Sequence, residues 1–452
     1  RGGAETGIIC PIHKKGDQQE CSNYRGISLL NIAYKVFAFI LCERLKPHVI
    51  RIIGEYQCGF MPGRGTSDQI FTLRQILEKT HEFQVDTHHL FIDFKQAYDT
   101  PTRTELFKAM NRFGIPGKLI KLSQMTLENT WSSVRAAGTL SEKFRTLRGF
   151  QQGNALSCSF FNILLEMIMV SANINTKNII YTKSSQILAY ADDIDVIGRT
   201  RAKTTENFLA IEQAANSVGL KVNGEKTKYM LSSKQQSRHD DLGSHVSIGP
   251  YNIEVVDSFI YLGSEVRSDN DISVEIRRRI ILASRCLGGL RKLMRSTILS
   301  RKTKLQLYHQ LIQPVLVYGA ESWTLRASDE QDLLVFERKV LRLIYGPIHE
   351  PAGWRIRYNH ELQQLYNQAD IVQKIRAKRL RWAGHVQRME PNKTPKRVFS
   401  SNPDGSRRPG RPKTRWNDLV EGDARLLNIP NWRTTALNRE IWRRYVDEAE
   451  ST

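Results

Sequence analysis

Ile187-Leu188-Ala189-Tyr190-Ala191-Asp192-Asp193-Ile194-Asp195-Val196-Ile197 sets two adjacent carboxylates between two apolar runs. Apolar runs of this length, broken by a short polar step, predict a buried β-hairpin with the acids at its turn. Neighbouring carboxylates repel, and a fold keeps them together mainly where cations neutralise them. Hard divalent ions such as Mg²⁺ prefer carboxylate oxygen. Asp-Asp is also common in ordinary turns, so the pair alone leaves a plain turn and a cation site open.

Far upstream, His88-His89-Leu90-Phe91-Ile92-Asp93 is a strand-like run ending in a third acid, and Thr100-Pro101 opens a predicted helix. An acid at a strand end and an acid pair on a later hairpin turn match the needs of two-metal phosphoryl transfer. One ion lowers the pKa of an attacking hydroxyl, and the other stabilises the leaving oxygen. Asp93 and Asp192 are placed to bridge both ions, with Asp193 orienting or balancing them.

Seven segments then share one order with a known family. They are Asn23-Tyr24-Arg25-Gly26-Ile27-Ser28-Leu29-Leu30, Gln57-Cys58-Gly59-Phe60-Met61-Pro62-Gly63-Arg64-Gly65-Thr66, Phe91 to Asp99, and Gln151-Gln152-Gly153-Asn154-Ala155-Leu156-Ser157. Tyr190 to Asp193, Gly219-Leu220-Lys221-Val222-Asn223 with Lys226-Thr227-Lys228, and Phe259-Ile260-Tyr261-Leu262-Gly263 complete the set. In this order the chain resembles the reverse transcriptase of a non-LTR retrotransposon, of the endonuclease-reverse transcriptase kind. The resemblance implies an α+β right-hand polymerase fold, with fingers over 1–85, palm with antiparallel sheet over 86–265 and helical thumb over 266–345. A basic, mainly helical nucleic-acid-binding region follows over 346–452. It also implies an RNA template, a DNA primer or target, dNTP, and two Mg²⁺ ions, with Mn²⁺ an alternative. The chain begins at Arg1, and a fragment lacking the endonuclease is expected.

By the same resemblance, Asp93, Asp192 and Asp193 hold metal, and Arg25 clamps the triphosphate through its planar charged fork. Lys14 and Lys15 are weaker candidates for that work. The ring of Tyr98 would exclude a 2′-hydroxyl by clash. Gln152 and Gly153, at a turn into a helix over 159–170, would meet the nascent pair, glycine allowing close backbone approach. Lys226 would serve the departing pyrophosphate, although a solvated lysine fits its sequence context equally well. Tyr261, Leu262 and Gly263 would hold the primer end.

Charge agrees with a polyanionic partner. The chain has 452 residues, 67 Lys and Arg against 46 Asp and Glu, and a net charge of +21. Nucleic acid or an anionic membrane surface would suit that excess. No run approaches the length of a membrane span, and no secretory signal is visible. The six cysteines form no Cys-x2-Cys pair, which gives no zinc site and fits reduced thiols. An intracellular protein with cytoplasmic and nuclear access is expected.

Between 374 and 415 there are fourteen basic residues against two acids. Arg379-Leu380-Arg381-Trp382 and Gly410-Arg411-Pro412-Lys413-Thr414-Arg415-Trp416 interleave arginine with tryptophan. The expectation is tryptophans mostly in the core and arginines mostly on phosphates. One final helix is predicted over 432–449, with Ala436, Leu437, Ile441 and Tyr445 on one side.

The chain departs from the family at four motif positions. Met61 and Gln151 stand where arginine is usual, Asn154 where aspartate is usual, and Gly65 where serine is usual. A rival reading is therefore a catalytically impaired remnant that only binds nucleic acid. An RNA-templated RNA polymerase is a third, against which Tyr98 argues.

Overall fold

The computed structural model describes residues 6–14, 16–407 and 414–451. Lys15, and Gly410 to Lys413 of the basic linker, lie outside the described residues. Two compact units emerge. The first comprises the chain up to Thr66, Asp86–Leu231 and Gln235–Val256; the second comprises Ser67–Val85, Ser232–Lys234 and the chain from Asp257 onward.

The first unit is built on a six-stranded sheet. Its order is His245–Ile248, Tyr251–Val255, Lys228–Ser232, Thr87–Ile92, Asp193–Gly198, Ser185–Tyr190. The hairpin read from sequence is present, with Tyr190 opposite Asp193 across the turn. Asp193–Gly198 also pairs antiparallel with Thr87–Ile92, bringing Ile92 opposite Ile194. Ile187, Leu188 and Ala189, and likewise Ile194, Val196 and Ile197, are all buried. Strands covered on both faces need apolar side chains at every position. That is why the sequence shows runs here rather than alternation. Helix Arg201–Ser217 packs on strands Thr87–Ile92 and Asp193–Gly198, and helix Ala155–Ser171 adds Phe160, Phe161 and Leu164 to the same core.

A second sheet in this unit pairs Tyr24–Leu29 with Thr6–His13, Ile12 opposite Arg25. Thr6–His13 runs parallel to Trp131–Ala136 on its other side. The helix expected to open at Thr100-Pro101 starts at Arg103 instead.

The second unit is mainly helical. Helix Thr66–Glu82 contributes Phe71, whose ring meets Trp416 at 4.8 Å, Trp382 at 5.7 Å and Phe399 at 6.2 Å. This aromatic cluster explains why Ser67–Val85 groups with the C-terminal helices. Trp416, Trp432 and Trp442 are core residues. Arg379 departs from the expectation of phosphate contact. It is 1% exposed, its Nε donates to Asp423 Oδ2 at 2.7 Å, and its Nη1 donates to the Trp323 carbonyl.

The predicted terminal helix is two, Trp432–Thr435 and Arg439–Ser451. Asn438 restarts it, its Oδ1 accepting from the N–H groups of Glu440 and Ile441. The restart rotates the apolar face. Trp442, Val446 and Ala449 are buried, whereas Leu437 and Ile441 are exposed.

Asp423→Ala would leave the Arg379 guanidinium buried without its carboxylate. A loss of about 3–5 kcal/mol is expected, measured by thermal unfolding. The double variant Arg379→Met/Asp423→Leu is expected to recover most of it.

Candidate active site

The acid turn is held from outside the hairpin. Ala191 has φ +56°, a left-handed conformation that disfavours an L side chain. The side-chain amide of Gln57 spans this residue. Its Nε2 donates to the Ala191 carbonyl at 3.2 Å, and its Oε1 accepts from the Ala191 N–H at 2.8 Å. The same Oε1 accepts from the Gly59 N–H at 2.6 Å. Backbone bonds from Ala189 to Tyr56 and from Cys58 to Ala189 fix the register. Gly59 lies so close that a Cβ there would stand 2.2 Å from the Ala191 nitrogen. Asn162 closes the arrangement, donating to the Gly59 carbonyl at 2.9 Å.

Asp93 follows the strand Thr87–Ile92. Its N–H donates to Thr227 Oγ1 at 3.3 Å, and its carbonyl accepts from the Asn223 N–H at 2.8 Å. Val222 pairs with Phe94 one step further on. The 221–228 segment thereby fixes the backbone of Asp93. Lys226 is exposed on the turn between Asn223 and Thr227.

The three carboxylates feel one another. Burial, reinforced by Asp93, raises the pKa of Asp192 against the opposing charges of Arg25 and Lys14. Partial desolvation, then Asp192 and Asp93, push Asp193 up to about 6, although its side chain is exposed and solvent screens much of that effect. Among the described residues, no three His, Cys, Asp or Glu side chains form a finished ligand cluster. Mg²⁺ ordinarily keeps several waters and takes one or two protein carboxylates plus substrate phosphates. The donors present therefore fit an ion that arrives with a nucleotide.

Tyr98 stacks on Phe161 with ring centroids 5.0 Å apart. Its shielded hydroxyl has no hydrogen-bond partner among the described residues. Burial raises its pKa far above the usual value, with Cys158, Asp192 and Asp193 adding to the effect. Gln152 Nε2 lies 3.4 Å from Asp99 Oδ2, and the Gln152 carbonyl accepts from the Ser28 N–H at 2.8 Å. Gly153, at φ +103°, would bring a Cβ within 3.0 Å of the Ser28 carbonyl. The 152–153 turn thus docks on the strand Tyr24–Leu29 that carries exposed Arg25. Arg25 lies within electrostatic reach of both Asp192 and Tyr98.

Asp93, Asp192, Asp193, Arg25, Tyr98, Gln152, Gly153 and Lys226 all belong to the first unit. Tyr261, Leu262 and Gly263 belong to the second, at the turn of hairpin Ser258–Tyr261/Ser264–Arg267. There the Leu262 carbonyl accepts from Tyr318 Oη at 2.8 Å, and the Gly263 carbonyl accepts from Arg278 and Arg279. Gln57, Asn162, Asp99 and Thr227 escape a reading by residue type. The only signal for Gln57 is its place two residues before a glycine in an ordered motif.

Residues 12–266 match the family described as Reverse transcriptase (RNA-dependent DNA polymerase). The chain belongs to the reverse transcriptase family. The α+β right-hand polymerase class is the fold of that family, and the chain's relatives are of the non-LTR retrotransposon kind. One similar protein is a putative uncharacterized transposon-derived protein of Caenorhabditis elegans, 26% identical, covering 56% of this chain and 92% of the relative. Another is the Retrovirus-related Pol polyprotein from the type-1 retrotransposable element R2 of Popillia japonica, 25% identical over 75% of this chain. The chain spans 48% of that relative and 42% of a Drosophila melanogaster X-element polymerase. Apo telomerase from Candida tropicalis aligns at 14% identity and a TM-score of 0.47, covering 98% of this chain and 69% of that one. No helix among the described residues is long and apolar enough to cross a membrane.

Gly59→Ala is expected to displace the acid turn and lower primer extension by about 10²-fold, with far-UV circular dichroism unchanged. A second expectation concerns pH. Asp193 binds its proton more tightly in the folded chain than in the unfolded one. The metal-free protein should therefore lose stability as pH rises from about 4 to about 6. Thermal midpoints across that window should fall, and Asp193→Asn should flatten the decline.

Proposed function

We propose that the first unit catalyses RNA-templated DNA synthesis, joining dNTP to a primer 3′-hydroxyl. The observation that carries this reading is the convergence of Asp93 with Asp192 and Asp193, on paired strands, beside Arg25 and Tyr98. In the reaction the 3′-oxygen attacks the α-phosphorus, the bond to pyrophosphate breaks, and the hydroxyl proton passes to solvent water. Divalent ions held by the three aspartates, with Mg²⁺ the best match, would acidify that hydroxyl and screen the charge on the phosphates.

The chain's own residues supply position and selection. Arg25 would take the triphosphate by its bidentate fork. The Tyr98 ring, fixed on Phe161, would stand under the sugar and reject a 2′-hydroxyl. Gln152, steadied by Asp99 and by the Ser28 bond, would meet the nascent pair. Lys226 is the candidate for charge or proton supply at pyrophosphate. Following the family resemblance, Tyr261, Leu262 and Gly263 would hold the primer end. RNA template, DNA primer and dNTP are the partners this reading requires.

The test is oligo(dT)-primed extension on poly(rA) with Mg²⁺. Asp192→Asn should reduce incorporation to background while template binding persists. No incorporation by the unaltered chain, with normal template binding, would instead support a remnant that only binds nucleic acid. Tyr98→Ala should raise incorporation of ribonucleotides relative to deoxynucleotides in the same assay. An unchanged ratio would remove Tyr98 from sugar selection.

A further inference from the structure

The C-terminal helices of the second unit enclose a cleft that the polymerase reading does not use. Helices Ile371–Arg388 and Arg439–Ser451 pack against each other at Gly384. A Cβ there would meet Trp442 Nε1 at 2.1 Å, and that indole N–H donates to the Leu380 carbonyl. This packing buries Trp442, and beside it lies a cavity of roughly 640 Å³. Its volume falls in the range of about 300–1,000 Å³ usual for ligand pockets.

Lys378, Arg381, Trp382, His385 and Arg388 line one wall, in a single stripe at helical spacing. Arg439 and Arg443 line the other. The acids in the lining are Glu321 and Asp447. Arg381 pairs with Glu450, and Arg443 lies 3.6 Å from Asp447. Among the described residues, Arg388 and Lys378 spend hydrogen bonds only on neutral carbonyls, those of Ala436 and Val317. Arg439 has no acidic partner among the described residues. The cleft is therefore cationic after its internal pairs are counted.

Trp382 adds a second kind of recognition. It is half-buried, with Phe71 against it at 5.7 Å and His385 at 5.1 Å. Its shielded indole N–H has no acceptor among the described residues. Cations on two rims and an aromatic ring between them suit a backbone with an unstacked base. A duplex keeps its base faces stacked and could use only the charge.

We propose that this cleft binds single-stranded nucleic acid, with Arg388, Arg439 and Arg443 on phosphates and Trp382 against a base. The cleft is built from the second unit and the three aspartates belong to the first, so its test is separable from that of the polymerase reading. The full chain is titrated with fluorescent single-stranded RNA and DNA twelve-mers and with a blunt DNA duplex of that length. Arg439→Gln/Arg443→Gln is compared with the unaltered chain, since both arginines are exposed and removing them leaves the core intact. Single-strand affinity should fall by about tenfold near physiological salt. The slope of log Kd against log salt should shrink by about 1.4, near 0.7 for each phosphate no longer neutralised. Duplex affinity should stay within twofold. A weakening on RNA alone would assign the interaction to the ribose as well as the phosphate; a weakening on both assigns it to the shared backbone. Trp382→Leu, which keeps an apolar side chain against Phe71, should weaken single-strand binding without changing the salt slope. Unchanged single-strand binding in the double variant, or an equal weakening on duplex, would overturn the proposal. Asp192→Asn should bind the twelve-mers normally, and the double variant should extend a saturating primer-template normally. The two readings therefore fail separately.

Discussion

The side-chain amide of Gln57, bonded to both backbone polar groups of Ala191, is the interaction on which the acid turn depends. A left-handed L-residue costs about 1–2 kcal/mol. A single intramolecular hydrogen bond contributes on the order of 0.5–1.5 kcal/mol net. One bond does not hold the turn securely, whereas the set made by Gln57 does. Because Gln57 is fully buried, water cannot compete for its amide. The strain at Ala191 is thus maintained by a neighbour, and strain of that kind recurs at functional sites. Gly59 completes the constraint by bringing backbone onto backbone, where any larger residue would push the turn away.

The same rigidity lets like charges remain close. Asp192 and Asp193 sit where burial and mutual repulsion both oppose ionisation, and Arg25 and Lys14 oppose that rise only at Asp192. Fixed anions with incomplete internal compensation focus field lines on an incoming cation. A site fully neutralised by its own arginines would offer such a cation less. Tyr98 is placed in this field by its stack on Phe161, and its hydroxyl is spent on no partner among the described residues. The ring is consequently positioned by packing alone.

Pattern and order made the hairpin and its partner strand legible, because buried strands leave apolar runs. The Gln57 clamp was not legible. An amide reaching a remote backbone leaves no periodicity, and its geometry exists only after folding. The C-terminal region was partly legible for a related reason. Composition identified its tryptophans as core, but it could not separate Arg379, which is paired with Asp423, from Arg381, which is exposed. The terminal helix was misread in phase because Asn438 restarts it, and a restart changes which side chains share a face. The place of Ser67–Val85 likewise follows from Phe71 meeting aromatics hundreds of residues later, a meeting that local sequence does not encode.

Three of the departures from the family pattern, Asn154, Met61 and Gln151, differ in structural meaning. Asn154 caps helix Ala155–Ser171, accepting from the Leu156 N–H, and its Nδ2 donates to Tyr34 Oη. Tyr34 gives its own proton to the Thr126 carbonyl. An amide at 154 is therefore matched to its neighbour, whereas a carboxylate would need Tyr34 to turn its proton round. Met61 is buried in the main core of the first unit, so its apolar side chain suits its surroundings and a guanidinium there would face a desolvation cost. Gln151 is different. Its backbone carbonyl is used by Ser157 and Asn154, but its side-chain Oε1 is shielded and bonded to nothing among the described residues. A polar atom left in that state costs about 1–3 kcal/mol unless a ligand completes it. Two of these departures are absorbed by the fold, and Gln151, one residue before the turn that docks on Ser28, is the one whose side-chain oxygen the described residues leave unpaired.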